Sequence, residues 1–359
     1  MSTRTRPPSK PIALTAEQLT LVDLFAGAGG GSIGFAAAGF KPVAAVEIDP
    51  LAAASYKANV AVQPLVADIR QVDGAQVLAQ AKLKRGELTL LFGCPPCQSF
   101  TVLRRGSDCT QEDLQRNSLP NEYLRLVSEL MPRFLAFENV PGMAEGRWAA
   151  SLGQLLDGLE SLGYGTRWHV FDAATFGVPQ RRRRLLLVAG RDGTPDLPTP
   201  THLDPAAHLT VRDAIGDLPE LRAGEADPVD TMHRARRHSS LVVERLGHVP
   251  PGGSRIDLPE RLRLECHKEH KGHYDIYGRM SWDLVAPTLT SGCTNVTRGR
   301  FAHPDQDRAI TVREALNLQT FPADTRLVGG IEAMSLQIGN AVPPRVAQAI
   351  GRVIRQQAS

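Results

Sequence analysis

The segment GCPPCQSF, residues 93–100, sets Cys94 and Cys97 around a proline pair, directly after the apolar run ELTLLF. Such a pair could be a metal clip, a redox couple, or one working thiol beside a bystander. Metal sites and disulfides need further partners, whereas a nucleophile needs only one positioned sulfur. The five cysteines (94, 97, 109, 266 and 293) form an odd set with no regular framework, so reduced thiols are the default. Cys97 is expected at the carboxyl end of a strand, with the prolines restricting the loop that carries it. FENVPG presents Glu138 at the end of another apolar run, where an apolar setting would raise its pKa and keep it able to donate a proton. In GVPQRRRRLLLV, period-2 alternation puts Gln180, Arg182 and Arg184 on one side and Arg181 and Arg183 on the other.

A second group of residues suits a nucleotide. LVDLFAGAGGGSIGF reads as a strand, a glycine turn containing Gly27 and Gly29, and a helix, the place in an open α/β sheet where backbone comes close to a ligand. Glu47 lies twenty residues beyond Gly27 at the end of the next strand, where a carboxylate can take a ribose diol. Asp68, in LVADIR, ends a third strand and could accept from an adenine amine. This spacing does not separate a dinucleotide from S-adenosylmethionine, nor either from a purely structural tight turn. Each element singly has a plain explanation: an inert thiol, a helix-capping acid, a solvated arginine run.

The elements that would position these residues follow one order. LTLVDLFA, VAAVEID, LTLLFG, RFLAFENV and RLLLVAG read as buried strands. GSIGFAAAGF, PLAAASYKANV, NEYLRLVSELM and WAASLGQLLDGLESLG carry helical spacing between them, the last with Leu152, Leu155, Leu156, Leu159 and Leu162 on one face. That pattern predicts a doubly wound α/β sheet over 19–190 behind a flexible N-terminus, 1–18. From 191 to 308 the periodicity dissolves into Pro, Gly, His and Arg, which predicts a smaller irregular domain. Over 309–359 it returns. Thr311 and Glu314 there fit a capping box, and PPRVAQAIGRVIRQQ opens an amphipathic helix carrying Val346, Ile350 and Ile354, so these terminal helices should pack back on the first domain. A 42% hydrophobic, 22% charged composition suits a globular chain. The basic start lacks a signal-peptide core and no run reaches a membrane span, so a cytoplasmic protein is expected. Net charge +3 is too small to imply nucleic acid by itself, but QRRRR (180–184) and HRARRH (233–238) concentrate positive charge.

Taken together and in order, DLFAGAGGGSIGF, GCPPCQSF, FENVPGM, VPQRRRR, TVREALNLQTFP and IGNAVPP resemble the motifs of the DNA cytosine-5 methyltransferase family, of bacterial type. They cover most of the chain outside roughly 191–285. The departure is slight: Thr101 stands where members often have Ser. The resemblance implies a Rossmann-like methyltransferase sheet, S-adenosyl-L-methionine as cofactor, double-stranded DNA as substrate and a target-recognition domain at 191–308. It makes Cys97 the nucleophile that adds to carbon 6 of a flipped cytosine, and Cys94 a structural neighbour. Glu138 would act on ring nitrogen 3. Arg182 would contact the base carbonyl and help orient Glu138, with Arg184 supporting it. Phe25 would stack on adenine, and Glu47, Ile48, Asp68, Ile69, Pro96, Asn340 and Val342 would line the cofactor pocket beside Gly27 and Gly29. Gln98 and Ser99 would approach the DNA. The Arg and His clusters of the irregular domain would meet phosphates and base edges.

No metal is expected. Cys266, His267, His270 and His273 lack a nearby second cysteine pair. A monomer is expected, with a cognate restriction endonuclease as a possible partner. Three rival readings stand: a tRNA cytosine-5 methyltransferase, since a tRNA-acting branch shares these motifs; a catalytically dead DNA-binding member, against which intact Cys97 and Glu138 argue; and an NAD(P) oxidoreductase with a Cys94/Cys97 redox pair, which leaves FENV, QRRRR and GNAVPP unexplained.

Overall fold

The computed structural model describes residues 18–96, 118–265 and 272–358. Seven strands form one sheet: β1 (Thr20–Leu24), β2 (Lys41–Glu47), β3 (Leu65–Val66), β4 (Leu90–Gly93), β5 (Phe134–Asn139), β6 (Gly165–Asp172) and β7 (Arg183–Gly190). Their order is β3-β2-β1-β4-β5-β7-β6. The first five run parallel, while β7 is antiparallel to both β5 and β6. The apolar runs are continuous because both faces are covered. Leu90 and Phe92 enter one core while Leu91 enters the other. The strand order reverses between β1 and β4, so the carboxyl ends of these two strands bound a crevice.

Helices α1 (Gly30–Ala37), α2 (Pro50–Val60), α3 (Gly74–Ala81), α4 (Leu119–Leu130) and α5 (Ala149–Ser161) lie among these strands. The leucine face expected on α5 is turned inward, with Leu152, Leu155 and Leu159 buried and Leu156 and Leu162 packed beside them. Helix α3 and strand β6 add to the expected elements. α3 starts at a capping box between Asp73 and Gln76. β6 is an edge strand with Arg167, Trp168 and His169 exposed, so it lacks the apolar run that marks its neighbours.

Among the described residues of 191–308 the helices are short, α6 (Val211–Ile215) and α7 (Ser240–Gly247) among them, and much of the rest is turns. Their backbone carbonyls, deprived of ladder partners, are met by arginines. Arg279 donates to the carbonyls of Val249 and His303 at 2.7 Å and of Leu246 at 2.5 Å. Arg245 donates to Leu262 O, Arg255 to Gly272 O and Arg308 to Leu221 O. All four arginines are buried. The expected surface of arginines meeting DNA is therefore corrected for these four, which act inside the protein. Part of HRARRH is corrected likewise. His233 is buried, with Nδ1 3.0 Å from the Thr311 hydroxyl, His238 Nε2 accepts from Ala309 N at 3.1 Å, and Arg236 pairs with Glu332. Arg234 and Arg237 remain exposed.

Two further helices, α8 (Val312–Leu318) and α9 (Ile331–Asn340), share a core with Val211, Ile215, Met280 and Phe301. The Thr311–Glu314 capping box opens α8 as expected. The last helix, α10 (Pro344–Ala358), turns Val346, Ile350 and Ile354 into the sheet's second core and lies along α1. Among the described residues no helix is long and apolar enough to cross a membrane.

The contact between α1 and α10 leaves no room for a side chain at Gly34. A β-carbon at Gly34 would strike the Pro344 carbonyl and lie 2.7 Å from Ala347 Cβ. Gly34→Ala should therefore destabilise the fold by about 1–3 kcal/mol, although alanine is favoured in a helix by roughly 1 kcal/mol. Denaturant unfolding measures this, and a more stable variant would mean that the helices part freely.

Candidate active site

A cleft of about 510 Å³ opens at the carboxyl ends of β1, β2, β4 and β5 and is closed on one side by residues 336–342. On its nucleotide side, β1 ends in a turn in which Phe25, Gly27 and Gly29 all take positive φ, at 59°, 53° and 93°. The turn is fastened by Gly29 N–H donating to Ala26 O and Ala26 N–H to Val46 O, both at 3.0 Å. A β-carbon on Gly27 would meet no atom within 4 Å, whereas one on Gly29 would lie 2.9 Å from Val60 Cγ2. Gly27 thus presents bare backbone to the cleft, while Gly29 faces protein and does not line it.

Glu47 ends β2 with its carboxylate held by two amides: Gly27 N–H donates to Oε2 at 2.7 Å and Asp49 N–H to Oε1 at 2.8 Å. Burial raises its pKa against those two donors. Asp68 caps the turn Ile69–Gln71, and its carboxylate is held below the usual range by the Arg70 guanidinium, whose Nε donates at 2.9 and 3.0 Å. Arg70 also lines the cleft, a place for which its sequence position gives no sign. Ile48 is 62% exposed there, an apolar surface at the cleft wall. Ile69, Pro96, Asn340 and Val342 complete the expected set on this wall.

Glu138 stands at the other end of the cleft, buried, beside Arg182 and Arg184. The apolar setting expected for Glu138 is corrected. Arg184 Nε lies 2.9 Å from Oε1, an ion pair without hydrogen-bond alignment, and the Cys94 thiol donates to Oε2 at 3.0 Å. The two arginines also differ from expectation, because Arg184 rather than Arg182 touches the acid. The Arg182 guanidinium is turned to backbone and donates to Leu289 O at 3.2 Å and to Gly339 O and Ala341 O at 3.0 Å. Gln180 extends this tie, accepting from Leu289 N–H at 3.0 Å. The alternation expected over 180–184 holds, with Gln180 and Arg182 buried and Arg181 and Arg183 exposed. Cys97, Gln98, Ser99 and Thr101 lie outside the described residues, as do Cys266, His267 and His270. Pro96, the residue before Cys97, is on the cleft wall.

The family model for C-5 cytosine-specific DNA methylases matches residues 19–356. The chain belongs to this family. It is 36% identical over 342 residues to the Type II methylase M.HgiDII of Herpetosiphon aurantiacus, covering 94% of this chain and 95% of the relative. To the Type II methyltransferase M1.HphI of Haemophilus parahaemolyticus it is 36% identical over 338 residues, 94% and 86% of the two chains. The S. pombe Dnmt2 methyltransferase matches in structure with a TM-score of 0.63 at 17% identity, over 96% of this chain and 100% of that one, a likeness of fold. By family the chain is a DNA cytosine-5 methyltransferase, and the nicotinamide oxidoreductase reading keeps no support.

In this methylase a buried chain of groups, two of them from the glycine motif itself and linked in a way its spacing does not announce, stands behind the glycine turn. Ser32 Oγ donates to Asp23 Oδ2 at 2.6 Å and lies 2.7 Å from the Tyr56 hydroxyl. Burial pushes the Tyr56 phenol well above its usual range, so it keeps its proton and donates to Ser32. Burial, with the nearby Glu47 charge adding to it, pushes Asp23 up to about 8 against the Ser32 hydrogen bond. Asp23 Oδ1 has no partner among the described residues, which suits a neutral acid better than a carboxylate.

Folded Asp23 keeps its proton to about pH 8, whereas an unfolded aspartate releases it near pH 4. Across that window the folded chain binds the extra proton. This site's stability is therefore full below the unfolded pKa and is lost as pH rises toward the folded one. Asp23→Asn, neutral throughout, should flatten the fall in unfolding free energy measured between about pH 5 and about pH 8. An equally steep fall in the variant would show that Asp23 is ionised in the fold.

Proposed function

We propose that this protein transfers a methyl group from S-adenosylmethionine to carbon 5 of cytosine in double-stranded DNA, through a transient bond between Cys97 and carbon 6. The observation that carries the reading is that one cleft joins a nucleotide wall to an arginine-paired acid, with the residue before Cys97 between them. The nucleotide wall fits the cofactor. Gly27 offers bare backbone, Glu47 has a carboxylate already oriented by two amides, and Phe25 and Ile48 offer apolar surface to a purine. S-adenosylmethionine supplies an electrophilic methyl group there.

Carbon 5 of cytosine is a weak nucleophile, so the thiolate of Cys97 adds to carbon 6 and shifts the 5,6 π pair toward carbon 5. Glu138 hydrogen-bonds or protonates ring nitrogen 3, drawing electron density into the ring, while Arg184 steadies its carboxyl group. Carbon 5 then takes the methyl group, its proton leaves to a base, and the Cys97–carbon 6 bond breaks to restore the double bond. The base must leave the helix to reach these groups, as the handling of duplex bases by methyltransferases requires, and unstacking it costs a few kcal/mol. Arg182 serves by holding the cleft wall rather than the acid. The irregular segment 191–308 supplies recognition, and the Type II relatives support a cognate endonuclease acting on the same site.

Cys97→Ser should abolish methyl transfer while leaving duplex binding largely intact, and Glu138→Gln should slow turnover by about 10²–10⁴-fold with little loss of cofactor affinity by calorimetry. Duplex DNA bearing 5-fluorocytosine should trap an adduct with the wild type, since fluorine does not leave as a proton does. An adduct persisting in Cys97→Ala would sink the nucleophile assignment. Methylated tRNA alongside untouched duplex DNA would move the substrate to the tRNA alternative.

Of the HRARRH arginines, Arg234 and Arg237 are exposed whereas Arg236 is paired with Glu332. Arg234→Ala and Arg237→Ala should each reduce the slope of log affinity against log salt by roughly one unit. Slopes identical to wild type in both would place the DNA elsewhere.

A further inference from the structure

We infer that Cys94 is a positioning residue for Glu138, fixing the plane of its carboxyl group through a thiol hydrogen bond. This rests on the reading of Glu138 as the acid that serves the base. Strands β4 and β5 run side by side with Gly93 opposite Phe137, so Cys94, the first residue past β4, comes beside Glu138, the next residue of β5. On the far side of β5, β7 runs antiparallel and brings Arg184 to the same end of the sheet. The carboxyl group of Glu138 thus receives a partner from each flanking strand, Arg184 at Oε1 and Cys94 at Oε2.

The terminal torsion of a glutamate is broad, so one partner would leave the carboxyl free to turn about its axis. Arg184 holds Oε1 by charge without hydrogen-bond alignment, so the directional bond from the Cys94 thiol at Oε2 is the contact that fixes the plane. The Cys94 side is itself anchored. Its backbone N–H donates to Leu24 O at 3.4 Å, Pro95 and Pro96 follow it, and Asn139 reaches back to Pro95 O at 3.4 Å. A thiolate at 3.0 Å from a carboxylate would set two negative charges together, so the thiol serves here as a donor. The two cysteines of GCPPCQSF then have separate tasks, one sulfur for the base and the other for the acid.

The experiment compares variants that keep a donor at position 94 with variants that lack one, in pairs of matched shape: Ser with Ala, and Thr with Val. Each is assayed for kcat, for KM of both substrates and for thermal unfolding. A thiol is a weak donor, so Cys94→Ala and Cys94→Val should lower kcat by about tenfold with KM little changed, and Cys94→Ser and Cys94→Thr should recover most of that loss. In a Glu138→Gln background, Cys94→Ala should cost nothing further, because the group it positions is gone. Equal slowing within each matched pair, or full additivity with Glu138→Gln, would overturn the inference and leave Cys94 a packing residue. Failure of the underlying reading looks different: Glu138→Gln itself would then turn over at the wild-type rate.

Discussion

The close contact between the first helix and the last is the constraint on which the rest of the molecule depends. Gly30, Gly34 and Gly351 make it possible. A β-carbon at Gly30 would strike the Val342 carbonyl, and one at Gly351 would come within 2.7 Å of Ala38 Cβ. Because these positions are bare, α10 lies against α1 and the chain just before it, residues 339–342, is drawn across the glycine turn. Asn340 and Val342 reach the cleft through that contact and through the Arg182 hydrogen bonds to Gly339 O and Ala341 O. A site whose parts lie more than 300 residues apart in a 359-residue chain is thus assembled by a contact that begins at its edge, at Gly30 and Val342, and continues away from it along α1 and α10.

The cleft is bounded by acids whose surroundings differ in kind. Glu47 is held by peptide N–H groups, which are fixed dipoles and do not move when a ligand arrives. Glu138 is held by side chains, an arginine and a thiol, whose carriers sit on neighbouring strands of the same sheet. Asp23, buried behind the glycine turn, accepts from the Ser32 hydroxyl and is nevertheless kept neutral by burial. Each setting follows from strand order: β1 sits between β2 and β4 and is covered on both faces, while β5 meets β7, whose reversed direction brings Arg184 to its carboxyl end.

Much of this was legible in the sequence. The apolar runs predict five of the seven strands, the capping residues Thr311 and Glu314 mark the start of α8, and the alternation over 180–184 separates buried from exposed side chains. Twelve of the expected cleft residues, from Phe25 to Val342, line one cavity. What escaped has identifiable causes. β6 is an edge strand and need not be apolar, α3 is short, and Arg184 rather than Arg182 reaches Glu138 because a two-residue shift along a strand preserves the face but moves the side chain nearly 7 Å. The pairing of Cys94 with Glu138 spans 44 residues and depends on register, which local patterns do not encode. The buried arginines of 191–308 misled in the opposite direction, because a composition rich in arginine reads as surface.

Those arginines bear on how the segment can change. Arg255 and Arg279 donate chiefly to main-chain carbonyls, and Arg245 and Arg308 each to at least one, an acceptor that every residue type provides. The scaffold is therefore indifferent to the identity of many side chains it holds. Exposed side chains on the same loops can be exchanged while the backbone stays fastened, so the outer face of the segment and the frame that displays it can evolve at different rates.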